Sequence, residues 1–136
     1  MIEGPRFLLD TNILSALARD PKGTIYEHIA QEGPQAVCTS VIVACEIRFG
    51  VEKKSSPALK QRMERILDAI EILALENDVQ SHYGDIRWQL ERTGQAIGPN
   101  DLLIAAQARS LGLVLVSGNV AEFSRVPGLR VENWLE

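Results

Sequence analysis

The chain has 136 residues, a formal net charge of −4 and a hydrophobic fraction of 46%, enough for one self-supporting core, so residues 1–136 are expected to form a single domain. No stretch approaches the roughly 20 apolar residues that span a bilayer, and MIEGPRFLLD lacks the basic region and apolar run of a signal peptide. A cytoplasmic protein without membrane association is expected. The negative charge gives no general pull toward nucleic acid, and Cys38 and Cys45 lack the paired spacing of a zinc site, reading instead as buried free thiols.

Phe7, Leu8 and Leu9 form an unbroken apolar run, the pattern of a central parallel strand, and Asp10 ends it. A carboxylate at the carboxyl end of a strand lies where open α/β sheets place their ligands. Helix capping is the competing role, although Thr11 or Asn12 could cap a helix over residues 12–19 without it. Asp20-Pro21-Lys22-Gly23 turns the chain into a second helix over 24–31. AVCTS is a second strand, after which Ser40 can cap a helix carrying Ile42, Cys45, Ile47 and Phe49, with Glu46 near its middle. Ser56-Pro57 opens the next helix, in which Leu59, Met63, Ile66, Leu67 and Ile70 recur at helical spacing. EILALE is a third strand. Asn77 leads from it into a helix bearing Val79, His82, Tyr83, Ile86 and Leu90, which Gly94 ends. QAIGPN opens a helix at Asp101, Leu111-Gly112 closes it, LVLVS is a fourth buried strand, and a last short strand lies around 129–132. Strands alternating with helices predict an α/β fold with a parallel sheet covered on both faces.

Three carboxylates recur at comparable places. Glu46 is surrounded by apolar residues in VIVACEIRFG, and Asp101 opens the nearly all-apolar GPNDLLIAAQA. Such charges are expensive unless paired, hydrogen-bonded or bound to metal. Bland roles exist for both: Arg48 or a backbone amide could pair Glu46, and the helix dipole favours Asp101. Gathered in one cleft with Asp10 the acids would repel, an objection that a divalent cation removes; oxygen donors suit Mg2+ or Mn2+. Residues 48–65 carry Arg48, Lys53, Lys54, Lys60, Arg62 and Arg65 against Glu52 and Glu64. Phosphate contact and a solvated helix face are both consistent with that bias.

LLDTNIL, SVIVACEIRFG, IGPNDLLIAAQA and LVLVSGNVAEFSRVPGLRVENW together resemble, in order and spacing, the PIN-domain ribonucleases, specifically the VapC-type toxins of bacterial toxin–antitoxin pairs. The resemblance covers nearly the whole chain. It implies a PIN-like three-layer α/β/α sandwich with a mainly parallel sheet and a Mg2+-dependent endoribonuclease acting on structured RNA such as transfer or ribosomal RNA. It also implies a homodimer and a VapB-like antitoxin whose tail covers the cleft. Asp10, Glu46 and Asp101 match the family's metal-site acids, and Asn12 matches the polar companion of the first. Arg48, Lys53 and Lys54 are then the RNA-contact candidates.

One corner departs from the pattern. In SGNVAEF, Asn119 stands where many members carry an acid, and Glu122 is the nearest carboxylate. A short helical turn over 120–124 would bend Glu122 toward the cleft, to act behind the ligands or through water. Asn119 can hydrogen-bond a water on the metal, with Ser117 supporting it. Ser40 either stands behind Asp10 or caps its helix. Two other functions compete: a PIN-fold binding module whose activity is weakened by Asn119, and a Mg2+-dependent phosphatase using Asp10 as nucleophile. The phosphatase usually wants a second acid and a lysine that DTN does not supply. His82 is read as packed on its helix, His28 as a surface residue, and Trp88 and Trp134 as core or interface. Finally, the apolar faces over 59–70 and 79–90 look too many for one small core, which argues for a dimer as well.

Overall fold

The computed structural model describes residues 4–135. Its sheet contains β1 (Phe7–Leu9), β2 (Val37–Ser40), β3 (Glu71–Leu73), β4 (Val114–Val116) and β5 (Val131–Glu132) in the order β3-β2-β1-β4-β5. Every neighbouring pair is parallel. Among the described residues seven α-helices flank it: α1 (Thr11–Arg19), α2 (Thr24–Glu32), α3 (Val41–Lys54), α4 (Pro57–Ala69), α5 (Val79–Arg92), α6 (Pro99–Ser110) and the short α7 (Val120–Phe123). The chain first steps outward from β1 to β2 and β3, then returns to pair β4 with the other edge of β1. Strand order therefore reverses between β1 and β4, where an open sheet leaves a crevice beyond its carboxyl ends.

β1, β2 and β4 are buried along their whole length, which explains why their sequences do not alternate. Leu8 lies opposite Cys38 on one side and Leu115 on the other. Ile13 and Leu14 from α1, Ile86 from α5, Ile104 from α6 and Phe123 from α7 join them in one apolar cluster. The helix starts are set locally. Ser40 Oγ accepts from the Ile42 N–H at 3.0 Å, and Ser56 Oγ accepts from the Leu59 N–H at 3.2 Å with Pro57 in the first turn. Side-chain ties then fix α6: Gln107 Nε2 donates to the Leu73 and Ala74 carbonyls, while Arg109 donates to His82 Nδ1, Asp85 and the Pro127 carbonyl.

Several expectations are corrected. β3 ends at Leu73 and does not fill EILALE, because it is an edge strand with Glu71 and Ile72 exposed. α6 begins at Pro99, two residues before Asp101, since a first-turn proline needs no N–H partner. Cys38 is buried but Cys45 is exposed, and Phe49 is 68% exposed. α3 is apolar on several sides, and the face that enters the core carries Val43 and Ile47. His28 is half-buried and stacks on Trp134 at 4.8 Å, and Trp134 is itself buried. His82 accepts a hydrogen bond from Arg109 as well as packing. The apolar faces of α4 and α5 are absorbed by the chain's own core through Met63, Leu67, Ile86 and Leu90, so they supply no argument for a dimer.

Candidate active site

Asp10 stands between β1 and α1 with extended backbone (φ −79°, ψ 170°), and its carbonyl accepts from the Ile13 and Leu14 N–H groups. Its carboxylate makes no capping hydrogen bond. Instead, Oδ2 accepts from Ser117 Oγ at 2.7 Å across the gap between β1 and β4. The carboxylate is only 3% exposed, and this burial pushes its pKa up; the Ser117 bond and the Thr11 backbone N–H pull it down, while the charges of Glu46 and Glu122 raise it.

The turn after β4 is held against this corner. Asn12 Oδ1 accepts from the Gly118 N–H at 3.1 Å, and Ser117 Oγ accepts from the Asn119 N–H at 3.0 Å. A Cβ on Gly118 would meet Leu135 at 2.8 Å and the Asn12 amide at 3.3 Å, so glycine permits the close approach. Asn119 thereby reaches the rim of the cleft.

Glu46 enters from α3 and is gripped on both oxygens. Thr11 Oγ1 donates to Oε1 at 2.6 Å and Asn100 Nδ2 donates to Oε2 at 3.3 Å. Arg48 is not its partner but forms an exposed 3.5 Å pair with Glu64. Asp101 sits in the first turn of α6, next to Glu122 of α7, whose Oε1 also accepts from the Gly98 N–H at 3.3 Å. The Asp101 carboxyl is pushed up to about 7, first by burial, then by the Glu122 and Asp10 charges, by a hydrogen bond with Glu122 and by Glu46.

Asp10, Glu46, Asp101 and Asn119, with Thr11 and Asn12, line one open cleft of about 480 Å³. Carboxylates from three distant segments thus face a common space. Among the described residues no three acidic, histidine or cysteine side chains close into a compact ligand cage. A hard cation does not require one, because Mg2+ keeps several of its waters and binds through one or two carboxylates. The donors are all oxygen, and a carboxyl whose charged form is disfavoured by burial and then by its acidic neighbours is what a divalent charge would relieve, so the residues present fit Mg2+ or Mn2+.

Not every expected residue converges. Ser40 caps α3, and among the described residues no bond links it to Asp10. Of Arg48, Lys53 and Lys54, only Lys54 borders the space next to the cleft. Thr11 and Asn100 escaped the sequence reading because their shared partner lies 35 and 54 residues away. Arg19, which lines the cleft, carries no motif at all.

This geometry can be set beside known proteins. The family model of the PIN domain matches residues 7–129. The chain belongs to the PIN-domain family. Its relatives within that family include Ribonuclease VapC2 of Haemophilus influenzae, 37% identical over 131 residues, which are 96% of this chain and 98% of that protein. The tRNA(fMet)-specific endonuclease VapC of Shigella flexneri is 35% identical over 130 residues, 95% and 98% of the two chains. Among solved structures, VapBC2 from Rickettsia felis bound to a DNA fragment from its promoter superposes with a TM-score of 0.88 at 32% identity, covering 94% of this chain and 98% of that one. DNA-bound VapBC from Salmonella typhimurium gives 0.85 at 35% identity, covering 95% and 98%. The three-layer PIN fold with its parallel sheet is therefore that of this chain.

Proposed function

We propose that this PIN-domain chain is the toxin of a type II toxin–antitoxin pair, an endoribonuclease that hydrolyses phosphodiester bonds of structured RNA in the cytoplasm. Near-full-length relatives named as ribonucleases support the activity. The observation that carries the assignment of the site is the convergence of Asp10, Glu46 and Asp101 on one cleft at the reversal of strand order.

In this reading Asp10, Glu46 and Asp101 would hold Mg2+ or Mn2+, which when bound would supply an activated water and offset charge growing on the phosphate. Ser117 fixes the rotamer of Asp10, and Thr11 and Asn100 fix Glu46, so the acids are aimed before substrate arrives. Asp101 has to lose its proton to serve as a ligand, and its burial, with the Glu122 charge after it, opposes that loss. Asn119 lines the same cleft and brings a neutral amide to it. Neither histidine lines the cleft, so proton transfer rests on water and carboxylates.

The partner of this reading is a VapB-like antitoxin that covers the cleft and sets a basic side chain among the carboxylates. The VapBC complexes among the structural relatives support a partner of that kind. A homodimer is part of the same proposal. Phe49 and Trp88, 68% and 64% exposed, are the large apolar side chains it would cover.

The deciding test is cleavage of total cellular RNA by the purified chain with Mg2+ and with chelator, followed by mapping of the new ends. Discrete cuts that need the cation are expected. Cleavage that persists in excess chelator would remove the metal-site reading, and no cleavage at all from folded protein would remove the enzyme in favour of a binding module.

A further inference from the structure

Beside the acid cleft lies a second opening of about 190 Å³ between α1 and α3. Its walls follow from helix periodicity, since residues four apart share a face. Thr11, Ser15 and Arg19 present one face of α1, and Glu46, Gly50 and Lys54 present the facing side of α3. The two faces form three levels. At the first, Thr11 is hydrogen-bonded to Glu46 at 2.6 Å. At the second, Ser15 and Gly50 are both small. At the third stand two cations, Arg19 and Lys54, both exposed and neither in an ion pair among the described residues. At 1.5 Å of rise per residue Thr11 and Arg19 are about 12 Å apart along α1, and Arg19 borders the acid cleft as well as the trench. Its floor is apolar, formed by Ile47, Val51 and Met63.

Gly50 supports the view that this space is kept open. It sits inside a helix, where glycine is less favourable than alanine. Its φ is not positive, and a Cβ built there meets nothing within 4 Å. Neither backbone conformation nor packing requires glycine here.

We infer that the trench binds the RNA strand as it leaves the metal site, with sugar and base passing over the apolar floor at Ser15 and Gly50 and a backbone phosphate held between Arg19 and Lys54. The inference deepens the proposed endoribonuclease and rests on that reading for its substrate. Charge complementarity selects the occupant. A strand with one phosphate at the acids has its next phosphates in their repulsive field, and Arg19 and Lys54 are the cations that border this continuous space. The alternative occupant is a protein segment.

The test uses the chain with Gly50→Leu, whose Cβ enters open space and whose side chain would extend into the middle level, and with Arg19→Ala and Lys54→Ala. Two readouts are taken: Mg2+-dependent cleavage of cellular RNA, and anisotropy of a labelled twelve-nucleotide RNA of mixed sequence bound in Ca2+. Gly50→Leu and the double cation variant are expected to lower kcat/KM at least tenfold while the Mg2+ concentration for half-maximal rate stays unchanged. Each cation removed should flatten the plot of log affinity against log salt by about 0.7. Folded variants that bind and cleave RNA as the unsubstituted chain does would overturn the inference and leave the trench to a protein segment. Binding separates the two proposals: an unsubstituted chain that binds the RNA through this trench but cuts nothing refutes the endoribonuclease reading alone.

Discussion

Ser117 Oγ donates a 2.7 Å hydrogen bond to Asp10 Oδ2, joining the carboxyl ends of β4 and β1 across 107 residues of sequence. The bond holds a carboxylate that is almost wholly buried and counters the upward push of burial on its pKa. Ser117→Ala is expected to raise the Mg2+ concentration needed for cleavage about 10–100-fold, as loss of a partner behind a ligand does. It should also move the acid limb of the pH–rate profile upward. A variant with unchanged Mg2+ titration would show that Asp10 is positioned by packing alone.

Asp101→Asn is expected to abolish cleavage and growth inhibition and, without metal, to make the protein more stable. In the folded chain burial and the neighbouring charges push the Asp101 carboxyl up to about 7 from an ordinary carboxylate value of 3.8. Between those values the folded state binds the extra proton, so its stability falls as pH rises from about 4 through 7. The amide does not titrate and escapes that loss. Discounted for the partial exposure of the group, the gain at pH 8 is on the order of 1–2 kcal/mol by urea denaturation in chelator, fading toward pH 4. Equal stability of the two proteins at pH 8 would contradict the crowding of charge at this corner.

Glu46 is held by two neutral donors, so releasing it should need both. Thr11→Val and Asn100→Ala are each expected to weaken Mg2+ dependence a few-fold, and the pair about 10–100-fold, with a coupling energy because they share one carboxylate. Mg2+ titrations of the four proteins complete the cycle. Strict additivity would mean that the two bonds do not act on the same conformation.

The corner at α7 allows a test of opposite signs. The Glu122 charge raises the Asp101 pKa, so Glu122→Gln should move the acid limb of the cleavage profile to lower pH while weakening Mg2+ dependence within about 10–100-fold. Asn119→Asp adds a charge to the same cleft and should move that limb upward, with activity at alkaline pH kept or increased. Profiles recorded from pH 5.5 to 9, at roughly half-unit steps around the expected midpoint, check both. Shifts of the same sign would refute the arrangement.

The proposed dimer can be tested at Trp88, second only to Phe49 in exposure among the large apolar side chains. Trp88→Glu is expected to convert a dimer into a monomer in sedimentation at micromolar concentration, with the helical circular dichroism signal intact. A monomeric unsubstituted chain under those conditions would end the proposal.

Much of the fold was legible in the sequence because its signals are local. The apolar runs around Leu8, Cys38 and Leu115 mark buried strands, Ser40 and Ser56-Pro57 mark helix starts, and glycines mark ends, each set by nearest neighbours in the chain. The acids were legible for a related reason: a carboxylate inside an apolar segment is costly wherever that segment folds. Where a segment gives no one-sided pattern, the sequence left the outcome open. α3 is apolar on several sides, and only packing against α1 and the sheet turned Val43 and Ile47 inward and left Cys45 and Phe49 in water.

The sequence by itself thus determined the order of elements, and it marked Asp10, Glu46 and Asp101, which line one cleft, as candidate oxygen donors to a hard cation. Tertiary structure decided which neutral groups aim those acids, because Ser117, Thr11 and Asn100 reach them across 107, 35 and 54 residues. It also decided that the Asp10 side chain makes no capping bond, that Glu122 lies against Asp101, and that Arg19 and Lys54 line one opening. Hydrophobic periodicity states which face of an element is buried but not which residue of another element that face will meet. The rotation and offset of packed helices, settled by the whole core at once, choose the partner.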